Sequence, residues 1–395
     1  MGLSSGSVSF RRYFISGAGP ADVTDAFVTA VHDNAFGRYG SASTDGTEVG
    51  WITPRHLFDT DITAERIAVG RFVSLAMRID RNAVPAAVLK SYIHVEEDVA
   101  LQAGGREFLS KSERAQARET AQIRAEREAK NGAFRRIFAY PLLIDLDRQT
   151  VYFGNLGVGV NDKMMALFMD TFDCGLEPAS ADRLAYRLMQ AAGGIEGVEH
   201  AKPSHLIRAP QGCEGAPDDF DTGDRGFLGK EFLTWLWFKV DSDDGALRVS
   251  TGDEIAVMID RVLRLECDFA VTGTDVITAD GPAALPEARA ALTVGKQPTK
   301  MGLIFGGRAG EFSLVLDGRR MTVSSMVLPP DEDGADKDLH ARRERRFEQI
   351  ADAAELLDVL YELFLRRRTS GTWSRELGKM RAWVAGRKNA RAASA

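Results

Sequence analysis

Residues 110–131 read as the most legible helix of the chain and the one that most restricts its fold. Ser110 and Glu113 make a capping box, the interior is rich in Ala, Glu and Arg, and Asn131-Gly132 supplies the stop. Almost no apolar stripe runs along it, Ile123 standing nearly alone, so it lacks the face by which a helix is ordinarily buried. Such a helix must project from the body of the protein or line an opening. Lys111, Arg114 and Arg118 fall on one stripe, while Glu126 and Lys130 can pair one turn apart. Two readings stay open: a salt-bridged solvated helix, or a basic surface for an anionic partner.

The rest of the chain can carry such a projection. At 395 residues, 44% hydrophobic and 27% charged, it is long enough for two or three cores. Cys174, Cys213 and Cys267 are odd in number and far apart, which excludes a disulfide framework and fits a reducing cytoplasm. Phe10-Arg11-Arg12-Tyr13 has a twin-arginine look, but Asp22 and Asp25 interrupt the apolar stretch that export requires, so a first strand over residues 8–15 is expected. No run reaches the roughly 18 apolar residues of a membrane span.

The net charge of −7 argues against nucleic acid until its distribution is considered. Residues 341–395 hold 13 Lys/Arg against 7 Asp/Glu, whereas residues 214–280 hold 6 against 16. Basic residues grouped in separate segments can be presented to one surface, or can merely solvate several.

Periodicity predicts an α+β chain. A helix is expected over 22–35, strands at 71–79, 138–146 and 150–154, and a second amphipathic helix over 162–172. Gly154, Gly157 and Gly159 have the wrong spacing for a dinucleotide fingerprint and read as turn glycines. A Gly/Pro/Asp-rich stretch over 193–226 marks a subdomain boundary. The aromatic run 227–238, with Phe232, Trp235 and Leu236 on one face, reads as core or subunit interface in preference to a base-stacking surface. Strands follow over 251–275, 300–305 and 312–316, then an acidic linker and a helix over 341–368 ending in Arg366-Arg367-Arg368, a placement that suits the helix dipole. The expected division is an N-terminal α+β region (1–192, with a charged helical projection at about 85–132), a β-rich region (193–340) and a basic helical region (341–395).

Gly295-Lys296-Gln297-Pro298-Thr299-Lys300 looks like a nucleotide loop and lacks its parts. Ala290 stands where a P-loop needs its first glycine, and Gln297 where it needs a magnesium-binding hydroxyl. Two lysines at the entrance to a strand remain, suited to phosphate contacts without chemistry; Arg319 and Arg320 occupy a turn nearby. The six histidines form no zinc-type pair, and no Gly-x-Ser-x-Gly elbow or kinase set is present. Asp145/Asp147 and Asp243/Asp244 could hold a divalent metal for a nuclease, although Asp is also a preferred turn residue and both sites lie where the chain reverses.

In order along the chain, several features resemble the RdgC family of recombination-associated proteins. They are the opening strand and helix, Gly50-Trp51 with Pro54, Val84-Pro85 before a charged helical excursion, Phe134-Arg135-Arg136 through Ile144-Asp145 with its hairpin, and Gly295-Lys296-x-x-Thr299-Lys300 before a strand. The resemblance covers nearly the whole chain. It implies a horseshoe-shaped subunit closing into a ring homodimer around double-stranded DNA, nucleoid-associated, without cofactor or catalysis, restraining a recombinase on the same DNA. Lys296 and Lys300 match the family's basic loop, Arg319 and Arg320 a basic position by place, and Lys111, Arg114 and Arg118 match in character. Residues 193–266 and the arginine-rich C-terminal helix look like elaborations of a longer branch. A nuclease and a protein-interaction scaffold built on the aromatic run stand as the competing readings.

Overall fold

The computed structural model describes residues 2–38, 46–105, 107–208, 224–243, 245–249, 254–269, 272–307, 310–330 and 338–386. The N-terminal elements are β1 (Val8–Ser16), α1 (Asp25–Asp33), β2 (Thr47–Ile52), α2 (Ala64–Ile67), β3 (Ala68–Val69), β4 (Phe72–Asn82), α3 (Ala86–Gly104), α4 (Lys111–Lys130), β5 (Arg135–Asp145) and β6 (Thr150–Phe153). There follow α5 (Val158–Phe172), β7 (Gly175–Pro178), α6 (Ala181–Ala191), α7 (Ile195–Glu199), α8 (Phe227–Asp243), β8 (Ala246–Arg248) and β9 (Glu254–Cys267). The chain ends with β10 (Asp275–Ala279), α9 (Pro286–Thr293), β11 (Lys296–Gly307), β12 (Gly310–Asp317), β13 (Thr322–Val327), α10 (Leu339–Arg368) and α11 (Trp373–Val384).

The chain is α+β, built on a 13-stranded sheet whose main path runs β10-β9-β11-β12-β13-β1-β6-β5-β4-β2, with antiparallel pairing throughout. Alternation along β1 aims Val8, Phe10, Arg12 and Phe14 to one face and Tyr13 and Ile15 to the other. The first face packs α6, α8, α9, α10 and α11 in one core, and the second packs α1 and α5. Phe10, Phe305 and Phe364 share the larger core, so residues expected in three separate regions are packed together.

The aromatic run lies in α8, where Phe232, Trp235, Leu236 and Trp237 are all buried, as a helix apolar all round must be. Phe232 and Trp235 pack on Phe364 of α10, and Trp237 meets Trp383 of α11 edge to face. These side chains serve the core. Gly229 and Gly318 let α8 touch the β12–β13 turn, since a Cβ on Gly229 would lie 2.0 Å from the Gly318 carbonyl oxygen.

Electrostatics orient α10. Glu348, Asp352, Glu355 and Asp358 recur at helical spacing along one stripe. Arg71 reaches Glu348 at 2.8 Å, Arg148 reaches both Asp352 and Glu355, and Arg12 forks onto Asp358 at 2.7 Å from one guanidinium nitrogen. Arg12 is buried, and its one other hydrogen bond among the described residues goes to the Ala354 carbonyl at 3.4 Å. Asp358→Ala therefore leaves a buried cation without its counter-ion and costs on the order of 3 kcal/mol, read as a lower urea midpoint at unchanged slope. The double replacement Arg12→Met with Asp358→Leu recovers most of that loss, because neither charge then needs compensation.

Candidate nucleic-acid interface

The structure sorts the basic residues into those the fold uses and those it leaves to solvent. The lysine pair divides between the two. Lys296 lies inside β11, opposite Cys267 of β9, and is buried against Asp275 with a 2.6 Å ion pair. It does not stand in an exposed loop.

A β-bulge is the reason. Pro298 pairs with Leu265 and Lys300 with the next residue, Arg264, so Thr299 is an extra residue in β11. An unbroken strand would put positions 296 and 300 on one face. The bulge turns Lys296 inward with Pro298, and Lys300 outward beside Arg264. Lys300 is half-exposed and lies 3.4 Å from Asp317.

The surrounding sheet surface is balanced in charge. Arg264 pairs with Glu266 at 3.0 Å and Arg261 with Asp260 at 3.5 Å. Arg319 reaches Asp224 at 2.7 Å, while Arg320 is exposed and, among the described residues, donates only its backbone N–H, to Asp317.

The C-terminal arginines are largely consumed. Arg368 is buried and paired with Glu231 at 2.5 Å, and burial pushes the Glu231 carboxyl up against the pull of that guanidinium. Arg366 pairs with Glu362 one turn earlier, leaving Arg367 exposed. Arg346 donates to the Leu3 and Gly6 carbonyls, and burial lowers the pKa values of Arg343 and Arg346. Arg346 and Arg368 thus serve to dock α10. Residues beyond 386 lie outside the described part of the chain.

The helical excursion is organised differently. Helices α3 and α4 form an antiparallel hairpin inserted between β4 and β5, each having the other as its main packing partner. Ala117, Ala121 and Ala125 are buried in α4, so the helix does have an inward stripe, made of residues too small to register as an apolar face. One flank of that stripe is tied down by Arg124, Glu128 and Tyr92, with the Tyr92 ring 4.2 Å from the Arg124 guanidinium. On the other flank Lys111, Arg114 and Arg118, at i, i+3 and i+7, are exposed and have no ion-pair partner among the described residues.

Sequence reasoning missed a second feature here. Arg81 of β4 stands directly opposite Arg136 of β5, both exposed and without an ion pair among the described residues. Like charges placed directly opposite on adjacent strands are destabilising. The register that creates this pair joins strands separated by two helices, and no local signal announces it.

The metal-site expectation does not assemble on Asp145 and Asp147. Asp145 is buried, accepts from Arg71 at 3.3 Å and from the Arg148 backbone N–H at 3.1 Å, whereas Asp147 is exposed. Asp244 and the side chain of Asp243 lie outside the described residues. Among the described residues no three His, Cys, Asp or Glu side chains gather as metal ligands, and no helix is long and apolar enough to cross a membrane.

Comparison with known protein families and with curated proteins finds no match to this chain.

The burial of Lys296 separates the two lysines experimentally. Lys296→Met leaves the slope of log affinity against log salt for duplex DNA unchanged, because the side chain already spends its charge on Asp275. Lys300→Gln reduces that slope by up to about 0.9, the share of one phosphate contact on B-DNA. Fluorescence anisotropy across a salt series measures both.

Proposed function

We propose that this chain is a non-catalytic, sequence-tolerant binder of double-stranded DNA, acting as a homodimer in the manner of the RdgC family it resembles. The carrying observation is the stripe Lys111, Arg114 and Arg118, exposed and without an ion-pair partner among the described residues, on a helix that leaves the body of the protein. Long side chains on an exposed helix reach phosphates and carry no base-reading geometry, so affinity is set by counter-ion release and is indifferent to sequence.

Lys300 and Arg320 supply a second basic region. Their strands lie toward the β10 end of the sheet, while the α3–α4 hairpin leaves near the β2 end. A partner that contacts both would span separate parts of the sheet. Closure of two horseshoe-shaped subunits into a ring would place a duplex inside, where it restrains a recombinase working on the same DNA.

Replacing Lys111, Arg114 and Arg118 together by Gln weakens binding to unrelated duplexes by similar factors and reduces the salt slope by about 2.7, three contacts at roughly 0.9 each. An unchanged slope overturns the assignment of this stripe. Incubation with magnesium or manganese on circular and linear duplex separates binding from cleavage: the proposal expects retention without product. Retention of closed circles at salt concentrations that release linear DNA of the same length tests encirclement.

A further inference from the structure

The Arg81/Arg136 pair belongs to a larger patch. Antiparallel register puts Ile79 opposite Phe138 and Met77 opposite Tyr140, so Arg136, Phe138 and Tyr140 share the face of the sheet that also carries Arg81. Phe138 is 41% exposed, unusual for a phenylalanine in the middle of a strand. Its ring and that of Tyr140 are parallel within 9° at a centroid separation of 6.5 Å, and Tyr140 is backed by Phe153. Burial pushes the Tyr140 phenol up, so the patch gains no negative charge from it near neutrality. Helices α1 and α5 cover this face of the sheet farther along, where Trp51, Met77 and Leu142 are buried, whereas Arg81 and Arg136 are exposed.

Each half of the patch answers a different part of one ligand. Two exposed guanidiniums at directly opposed positions concentrate positive charge, and a phosphate backbone is the anion that complements it. The exposed Phe138 ring, backed by Tyr140 and two residues from Arg136, offers a face to a planar base, which a duplex keeps stacked inside itself. We propose that Arg81, Arg136, Phe138 and Tyr140 form a binding site for single-stranded DNA, the arginines holding the backbone and Phe138 stacking on an unpaired base. This goes beyond duplex binding through α4, and it assigns the protein a means of holding a strand that has been displaced or not yet paired.

The test uses the full chain with a fluorescein-labelled dT20 oligonucleotide and a 20-base-pair duplex of mixed sequence. Phe138→Ala lowers affinity for dT20 by about tenfold, the effect of one lost stacked base, and leaves duplex affinity within about twofold. Phe138→Trp retains binding to dT20. Arg81→Gln with Arg136→Gln reduces the single-strand salt slope by about 1.4, two contacts at roughly 0.7 each, and serves as an independent readout should Phe138→Ala disturb folding. Equal losses on both DNA forms, undiminished dT20 binding in the variants, or no dT20 binding by the native chain overturns the site. If dT20 is bound through Phe138 while the duplex is not bound at all, this site stands and the duplex-binding proposal fails.

Discussion

Strand β1 pairs with β13 through Val8 and Phe10, and with β6 and β7 through its later residues, so one nine-residue segment holds both halves of the sheet. Its inward side chains Val8, Phe10 and Phe14 belong to the larger core, and its one inward charge, Arg12, fixes α10 through Asp358. A buried guanidinium tolerates few positions for its counter-ion, because the desolvation cost is offset only at close, well-aligned range. That requirement sets where α10 lies along the sheet, and Arg71 and Arg148 extend the same pattern along its acidic stripe.

The same arrangement explains how a chain of net charge −7 can present basic surfaces. Charge counted by segment mixes two populations. Arg12, Arg346, Arg368 and Lys296 are committed to internal partners, whereas Lys111, Arg114, Arg118, Arg81 and Arg136 face solvent without one among the described residues. Among the described residues, two of the arginines of the long C-terminal helix, Arg346 and Arg368, are thus not available to a ligand. A helix with a mean preference for water and three buried alanines contributes more usable positive charge than the long C-terminal helix.

The two proposed DNA contacts differ in physical character. The α4 stripe is exposed, flexible in side chain and purely ionic, which suits sliding contact with a duplex of any sequence. The β4–β5 patch is rigid, backed by the sheet and part aromatic, which suits bases out of the stack. The β4–β5 patch lies at the root of the α3–α4 hairpin, whereas Lys111, Arg114 and Arg118 lie in the part of α4 nearer its tip.

Local chemistry was sufficient for several elements. The capping box at Ser110 and Glu113 marks α4 because Ser, Glu and the backbone they satisfy lie within one turn. The all-round apolar character of residues 227–238 marks a buried helix for the same reason, and the hydrophobic alternation around Arg12 marks β1. What only the tertiary structure decided depends on residues far apart in the chain. The bulge at Thr299, which parts Lys296 from Lys300, exists because β11 must match β9 on one edge and β12 on the other. The opposition of Arg81 and Arg136 requires two strands to pair across an inserted helical hairpin. Sequence specified which residues are charged; register and burial, set by distant partners, determined which of those charges remain for a ligand.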